Sequence, residues 1–243
     1  MAVRTQWQGR VALVTIDRPE RRNAVDHDTL LAIRAAQREA LDGGARALVL
    51  TGAPPAFCAG ADLSGVEDGE FIEALDAALT GFGALPFTTI AAVDGPALGA
   101  GTQLAIACDL RVATPGSRFG IPAAKLGLAV DQWTVERLAR EVGASVARNM
   151  LLTASTYAAA ELHPTGFVHR LGDLAAAIDW AEEIARLAPL TIAAHKLALE
   201  HSAPPPVIDA LVRATRDRAW RSADAEEGRT AFLEKRAPHF QGN

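Results

Sequence analysis

Hydrophobic positions fall into two regimes along the chain. Up to about Gly120, short runs of Val, Ile and Leu alternate with stretches whose apolar residues recur at helical spacing. Val11-Ala-Leu-Val-Thr-Ile16 reads as a strand, ended by Asp17-Arg18-Pro19. Asp26 is placed to cap a helix that carries Leu30, Ile33 and Leu41 on one face. Arg46-Ala-Leu-Val-Leu-Thr51 and Thr88-Thr-Ile-Ala-Ala-Val93 read as two further strands, and Asp109-Leu-Arg-Val-Ala113 begins a fourth. Each run is nearly continuous in apolar residues, which predicts a sheet covered by helices on both faces.

From about Asp131 helical spacing takes over. Helices are predicted over 132–142, 144–153, 173–187, 189–201, 207–220 and 224–236, with a break at Ala203-Pro-Pro-Pro206. The expected architecture is an α/β core followed by a helical end. No internal repeat, low-complexity tail or heptad run is visible.

Composition narrows the class. At 243 residues and 49% hydrophobic, the chain can bury a large single core or a core with a helical extension. A net charge of −5 without a basic stretch speaks against nucleic acid as a partner. The longest uncharged stretch, 77–93, contains Gly81, Gly83 and Pro86 and falls short of the roughly 20 apolar residues of a membrane span. MAVRTQWQGR lacks the apolar core of a secretory signal. A soluble, cytoplasmic protein is expected. Cys58 and Cys108 form no CxxC pattern and read as buried free thiols. The six histidines show no HxxxH spacing, so neither a metal nor another cofactor is expected.

Two glycine-rich turns stand out. Ala56-Phe-Cys-Ala-Gly-Ala-Asp-Leu63 follows the second strand, and Asp94-Gly-Pro-Ala-Leu-Gly-Ala-Gly-Thr-Gln-Leu104 follows the third and opens a helix. Small residues allow a ligand close to the backbone, and a helix start presents unpaired N–H donors. Either turn alone is a common structural feature. Taken together, and with Arg18-Pro19-Glu20 and Asn23-Ala24 upstream, they resemble the crotonase (enoyl-CoA hydratase/isomerase) superfamily. Thr230-Ala-Phe-Leu-Glu-Lys-Arg236 is similar to that family's C-terminal segment.

The resemblance implies a superhelix of ββα units over 1–190 and a C-terminal helical region over 191–243 that drives trimer formation, or a hexamer of two trimers. It implies acyl-CoA or enoyl-CoA as ligand, with the thioester oxygen held by the backbone N–H groups of Ala61 and Ala100. The Gly60-Ala61-Asp62-Leu63 run would line the substrate. Ala24 and Ala59 would border the adenine through their carbonyls, and Phe232 and Lys235 would reach it from a neighbouring subunit. A lysine common after the Gly-Ala-Asp run is absent, and Ser64 stands there. Arg21 or Arg22 could supply its charge, or both could be solvated surface residues.

Hydratases of this family use two glutamates. The matching positions hold Gln103 and, after Phe119-Gly-Ile-Pro122, Ala123, and neither accepts a proton. Efficient hydration is therefore not expected. Asp131 matches an aspartate that works in dienoyl-CoA isomerases and a dehalogenase of the superfamily, yet it also suits the cap of a helix starting at Gln132. Trp133 suits either core packing or the wall of an acyl pocket. Glu67, Asp68, Glu70 and Glu73 suit a solvated helix face or a loop beside the acyl chain. The set resembles a hydratase-like subgroup of lipid metabolism. Two functions stay open: a carrier that presents long-chain acyl-CoA, with a lipid-synthesis protein as partner, and an Asp131-dependent isomerase or weak hydratase.

Overall fold

The computed structural model describes residues 2–63, 69–202 and 210–242. Ser64, Glu67, Asp68 and the Pro204–Pro206 run lie outside them. In chain order the elements are β1 (Val3–Gln8), β2 (Val11–Ile16), α1 (His27–Asp42), β3 (Ala47–Gly52), α2 (Gly69–Gly83) and β4 (Thr88–Val93). Then come β5 (Pro96–Leu98), α3 (Ala100–Ala107), β6 (Leu110–Ala113), β7 (Arg118–Gly120), α4 (Gln132–Val142) and α5 (Ala144–Thr153). The rest are β8 (Thr156–Ala158), α6 (Ala159–Leu162), β9 (Arg170–Leu171), α7 (Leu174–Ala185), α8 (Pro189–Glu200), α9 (Ala210–Trp220) and α10 (Ala223–Glu234).

The chain divides into two compact units. The first comprises Met1–Phe119 and Tyr157–Ala203, the second Gly120–Thr156 and Pro204–Asn243. The expected 190/191 boundary falls inside α8.

The first unit is built on a six-stranded sheet in the order β1-β2-β3-β4-β6-β9. β1 runs antiparallel to β2, and every other neighbouring pair is parallel. On one face Val11, Ala47, Val49, Ile90, Ala92 and Val112 pack on Ala177, Ala181 and Ile184 of α7. The alternate residues Ala12, Val14, Leu48, Leu50 and Ala91 are equally buried, with α1 against β2 and α3 against β4 and β6. Burial on both faces is the reason these strands lack polar alternation.

Some expectations need correction. Asp26 caps α1 by accepting from the Thr29 N–H at 2.8 Å, and Leu30 and Ile33 are buried, but Leu41 is 47% exposed. The buried face of α1 centres on Ile33, Ala36 and Ala40, and Leu41 lies about a quarter turn from it. β1 had no apolar signal because it is an edge strand, bonded through its backbone, with Trp7 41% exposed. The uncharged 77–93 stretch splits into the end of α2 and strand β4. The helical half also returns one strand, β9, to the sheet edge.

In the second unit α10 packs on a 3-10 turn over Pro122–Leu126. The Trp220 indole N–H donates to the Ala129 carbonyl at 2.7 Å, tying α9 to the segment that leads into α4. Among the described residues no helix is long and apolar enough to cross a membrane.

Candidate functional site

The two glycine-rich turns meet in the first unit. Cys58 N–H donates to the Pro96 carbonyl at 3.0 Å, and Leu98 N–H donates to the Cys58 carbonyl at 3.0 Å. Gly60 and Gly99 both have positive φ, at 126° and 53°, so the chain turns back at each as side-chain-bearing residues rarely do. A Cβ on Gly101 would stand 2.1 Å from the Cys58 carbonyl oxygen. At Gly101, the small residue makes room for the neighbouring turn.

A second set of bonds fixes the outer side of the first turn. Ala59 N–H donates to Arg22 O at 3.0 Å, Val25 N–H to Gly60 O at 2.9 Å and Asp62 N–H to Val25 O at 2.8 Å. This parallel bridge pairs Val25 with Ala61 and directs the Ala61 N–H to the opposite side. Ala100 is the first residue of α3, where no carbonyl of the preceding turn is in place to accept. Among the described residues neither the Ala61 nor the Ala100 N–H has an acceptor. Ala100 is 4% exposed and Ala61 half-buried. Two such donors suit an oxygen bearing partial or full negative charge.

Gln103 sits one turn into α3, buried, its N–H donating to Gly99 O at 3.0 Å. Asp62 accepts from Arg18 at 3.2 Å. Leu63 is half-buried beside it. Arg21 and Arg22 are exposed, Arg22 with a left-handed backbone. The Ala24 carbonyl, expected beside an adenine, accepts from Arg18 Nη1, which leaves it one free lone pair.

The second unit holds the remaining candidates. Ala123 and Trp133 are half-buried, Ala123 in the 3-10 turn and Trp133 in the first turn of α4. Asp131 caps α4, Oδ1 accepting from the Thr134 N–H and Oδ2 from the Thr134 hydroxyl, both at 2.8 Å. Phe232 is 58% exposed on α10, and Lys235 closes that helix with φ 56°. Glu70 and Glu73 are exposed on α2, the solvated-face role. Cys58 and Cys108 are free and buried, and burial pushes each thiol up to about 12.

Residues 6–243 match the family described as Enoyl-CoA hydratase/isomerase. The chain belongs to that family. It is 44% identical over 233 residues to "Probable enoyl-CoA hydratase echA6" of Mycobacterium tuberculosis, covering 96% of each chain. It is 35% identical over 256 residues to 2,3-dehydroadipyl-CoA hydratase of Escherichia coli, covering 97% of this chain and 96% of the other. The crystal structure of carnitinyl-CoA hydratase from Mycobacterium avium superposes with a TM-score of 0.87 at 34% identity, covering 100% of this chain and 99% of that one. The fold is the crotonase fold.

Two residues that shape this enoyl-CoA hydratase/isomerase family member escaped the sequence reading. Asn23 is fully buried with φ 57°, and its amide donates to the Ala53 and Ala56 carbonyls at 2.6 Å each. Arg111, fully buried, donates to the carbonyls of Ala105, Cys108 and Phe167 and lies 4.7 Å from the Phe167 ring centroid. Two of those carbonyls end α3, so a cation sits at the negative end of the helix whose other end carries the Ala100 amide. Asn23 stood inside a motif already quoted. Arg111, in an apolar strand run, is a charge out of place, and that was the available signal.

Proposed function

We propose that this chain binds a fatty acyl-CoA, its thioester oxygen between the N–H groups of Ala61 and Ala100, and is a poor hydratase. The observation that carries the reading is the pair of acceptor-less amides on two turns stitched to each other. As backbone donors they are insensitive to side-chain replacement, and they polarise a carbonyl at no reorganisation cost. Polarisation alone moves no proton. At the positions that match the family's glutamates stand Gln103 and Ala123, and general acid–base groups are worth about 10²–10⁴ each. Loss of both lowers hydration by very roughly 10⁴.

A carrier or presenter of long-chain acyl-CoA in fatty-acid and lipid metabolism follows from these terms. Both Asp131 oxygens are engaged in capping, which supports this reading over an Asp131-dependent isomerase. A trimer or hexamer belongs to the same proposal, with Phe232 and Lys235 serving a neighbouring copy. Its support is apolar surface: Leu187, Leu190, Leu197 and Leu199 in the first unit and Leu211 and Leu233 in the second are all more than half exposed. The free buried thiols support a cytoplasmic location.

The test is a panel of saturated, enoyl and dienoyl CoA thioesters, each measured for affinity and turnover, with Asp131→Asn alongside. Tight binding of saturated long chains with negligible crotonyl-CoA hydration is expected. Hydration at the rate of ordinary hydratases, or a turnover abolished by Asp131→Asn with affinity intact, overturns the carrier reading.

A further inference from the structure

Arg18 ties together three segments that meet beside the first glycine-rich turn. Its side chain is 16% exposed. Its own main chain is held by Asn23, whose Oδ1 accepts the Arg18 N–H at 2.9 Å and whose N–H donates to the Arg18 carbonyl at 2.9 Å. From this fixed base Nη2 lies 2.8 Å from Asp26 and 3.2 Å from Asp62, while Nη1 donates to the Ala24 carbonyl. Asp26 is the cap of α1, Ala24 precedes Val25 in the bridge, and Asp62 follows Ala61.

The geometry points to Arg18 as the positioning residue of the Ala61 donor. This rests on the thioester-binding reading above. Asp62 is held from both ends: its N–H bonds Val25 and its carboxylate bonds Arg18. The Ala61 N–H shares a peptide plane with the Gly60 carbonyl, which accepts from Val25, and Arg18 holds the chain on both sides of this bridge, at Ala24 before Val25 and at Asp62 after Ala61. Arg18 also keeps two carboxylates together, because Asp26 and Asp62 approach the same nitrogen. Without the guanidinium these like charges, side chains 36% and 12% exposed, repel in a partly desolvated place. The more deeply buried Asp62 is the one that gains most by moving toward water, and its shift loosens the Val25–Ala61 bridge that aims the Ala61 amide. A lysine cannot replace the function, since one ammonium lacks the planar fork that reaches Ala24, Asp26 and Asp62 at once.

The experiment compares dodecanoyl-CoA with S-dodecyl-CoA, its thioether lacking the carbonyl oxygen, by calorimetric titration of the full chain. The native protein is expected to prefer the thioester. Arg18→Met is expected to reduce that preference about tenfold, the worth of roughly one well-made hydrogen bond, while thioether affinity changes little. Arg18→Met with Asp62→Asn removes the repulsion and is expected to recover most of the preference, a rescue that a purely structural arginine would not give. A folded Arg18→Met that keeps the native preference overturns the assignment. Should Arg18→Met fail to fold, Arg18→Lys is the deciding variant, and an undiminished preference there overturns it equally. A native protein that does not distinguish thioester from thioether overturns the Ala61–Ala100 cradle itself.

Discussion

Asp131 is bonded to Thr134 through both carboxylate oxygens, one to its N–H and one to its hydroxyl, each at 2.8 Å. The residue that is the candidate for chemistry also starts α4. Asp131→Ala is expected to destabilise the protein by about 1 kcal/mol, and Asp131→Asn, which still accepts, by only a few tenths. Under the carrier reading neither alters the affinity for a saturated acyl-CoA. Denaturant melts and titration calorimetry on the two variants check both statements.

Ala100 opens α3, a position where proline removes an N–H that has no helical partner and suits the start of a helix. Ala100→Pro is expected to lower thioester affinity about tenfold while changing the melting temperature little. Unchanged discrimination between thioester and thioether in a folded Ala100→Pro would remove this amide from the cradle.

Under the proposed reading, placing carboxylates at positions 103 and 123 gives a gain-of-function test. Gln103→Glu with Ala123→Glu is expected to raise crotonyl-CoA hydration by at least about 10², measured as loss of enoyl absorbance. Gln103 is buried, so the new glutamate carries a desolvation penalty, and each single variant is expected to gain less than the pair.

His169 makes stability depend on pH. Burial, and then the positive charge of Arg111, lower its pKa from 6.5 to about 4, and its Nδ1 accepts the Arg111 N–H at 3.2 Å, which requires the neutral ring. The unfolded chain takes up the proton first, so stability is complete above about 6.5 and falls as the pH drops toward 4, levelling below it. His169→Gln keeps an acceptor without a titrating ring and is expected to flatten that slope. Urea midpoints at several pH values across the window measure it.

Much of the architecture was legible in local pattern. β2, β4, α4 and α5 lie where periodicity put them, because burial on a helix stripe or on both strand faces leaves its mark within a few residues. Both turns and the two alanines that follow their glycines were also visible, since strand, turn and helix start are consecutive in the chain. Periodicity says nothing about what another segment does to a face. Lys196 shows this: α8 turns Leu190, Leu197 and Leu199 outward and buries its lysine on Asp109 and the Phe82 and Phe87 carbonyls.

By itself the sequence determined the strands β2, β3, β4 and β6, the helix α1 and the long helices from α4 on, the two glycine-rich turns and the absence of glutamate at positions 103 and 123. These are properties of neighbouring residues or of single side chains. Only the tertiary structure decided that Gly101 makes room for the Cys58 carbonyl, that Arg18 joins Ala24, Asp26 and Asp62, and that both Asp131 oxygens accept from Thr134. Gly101 with Cys58 and Arg18 with Asp62 join residues far apart in the chain, so composition and spacing leave them open until the backbone brings the partners together. Even for Asp131, only three residues from Thr134, the cap was one of two possible roles in the sequence, and only the coordinates placed its oxygens on Thr134.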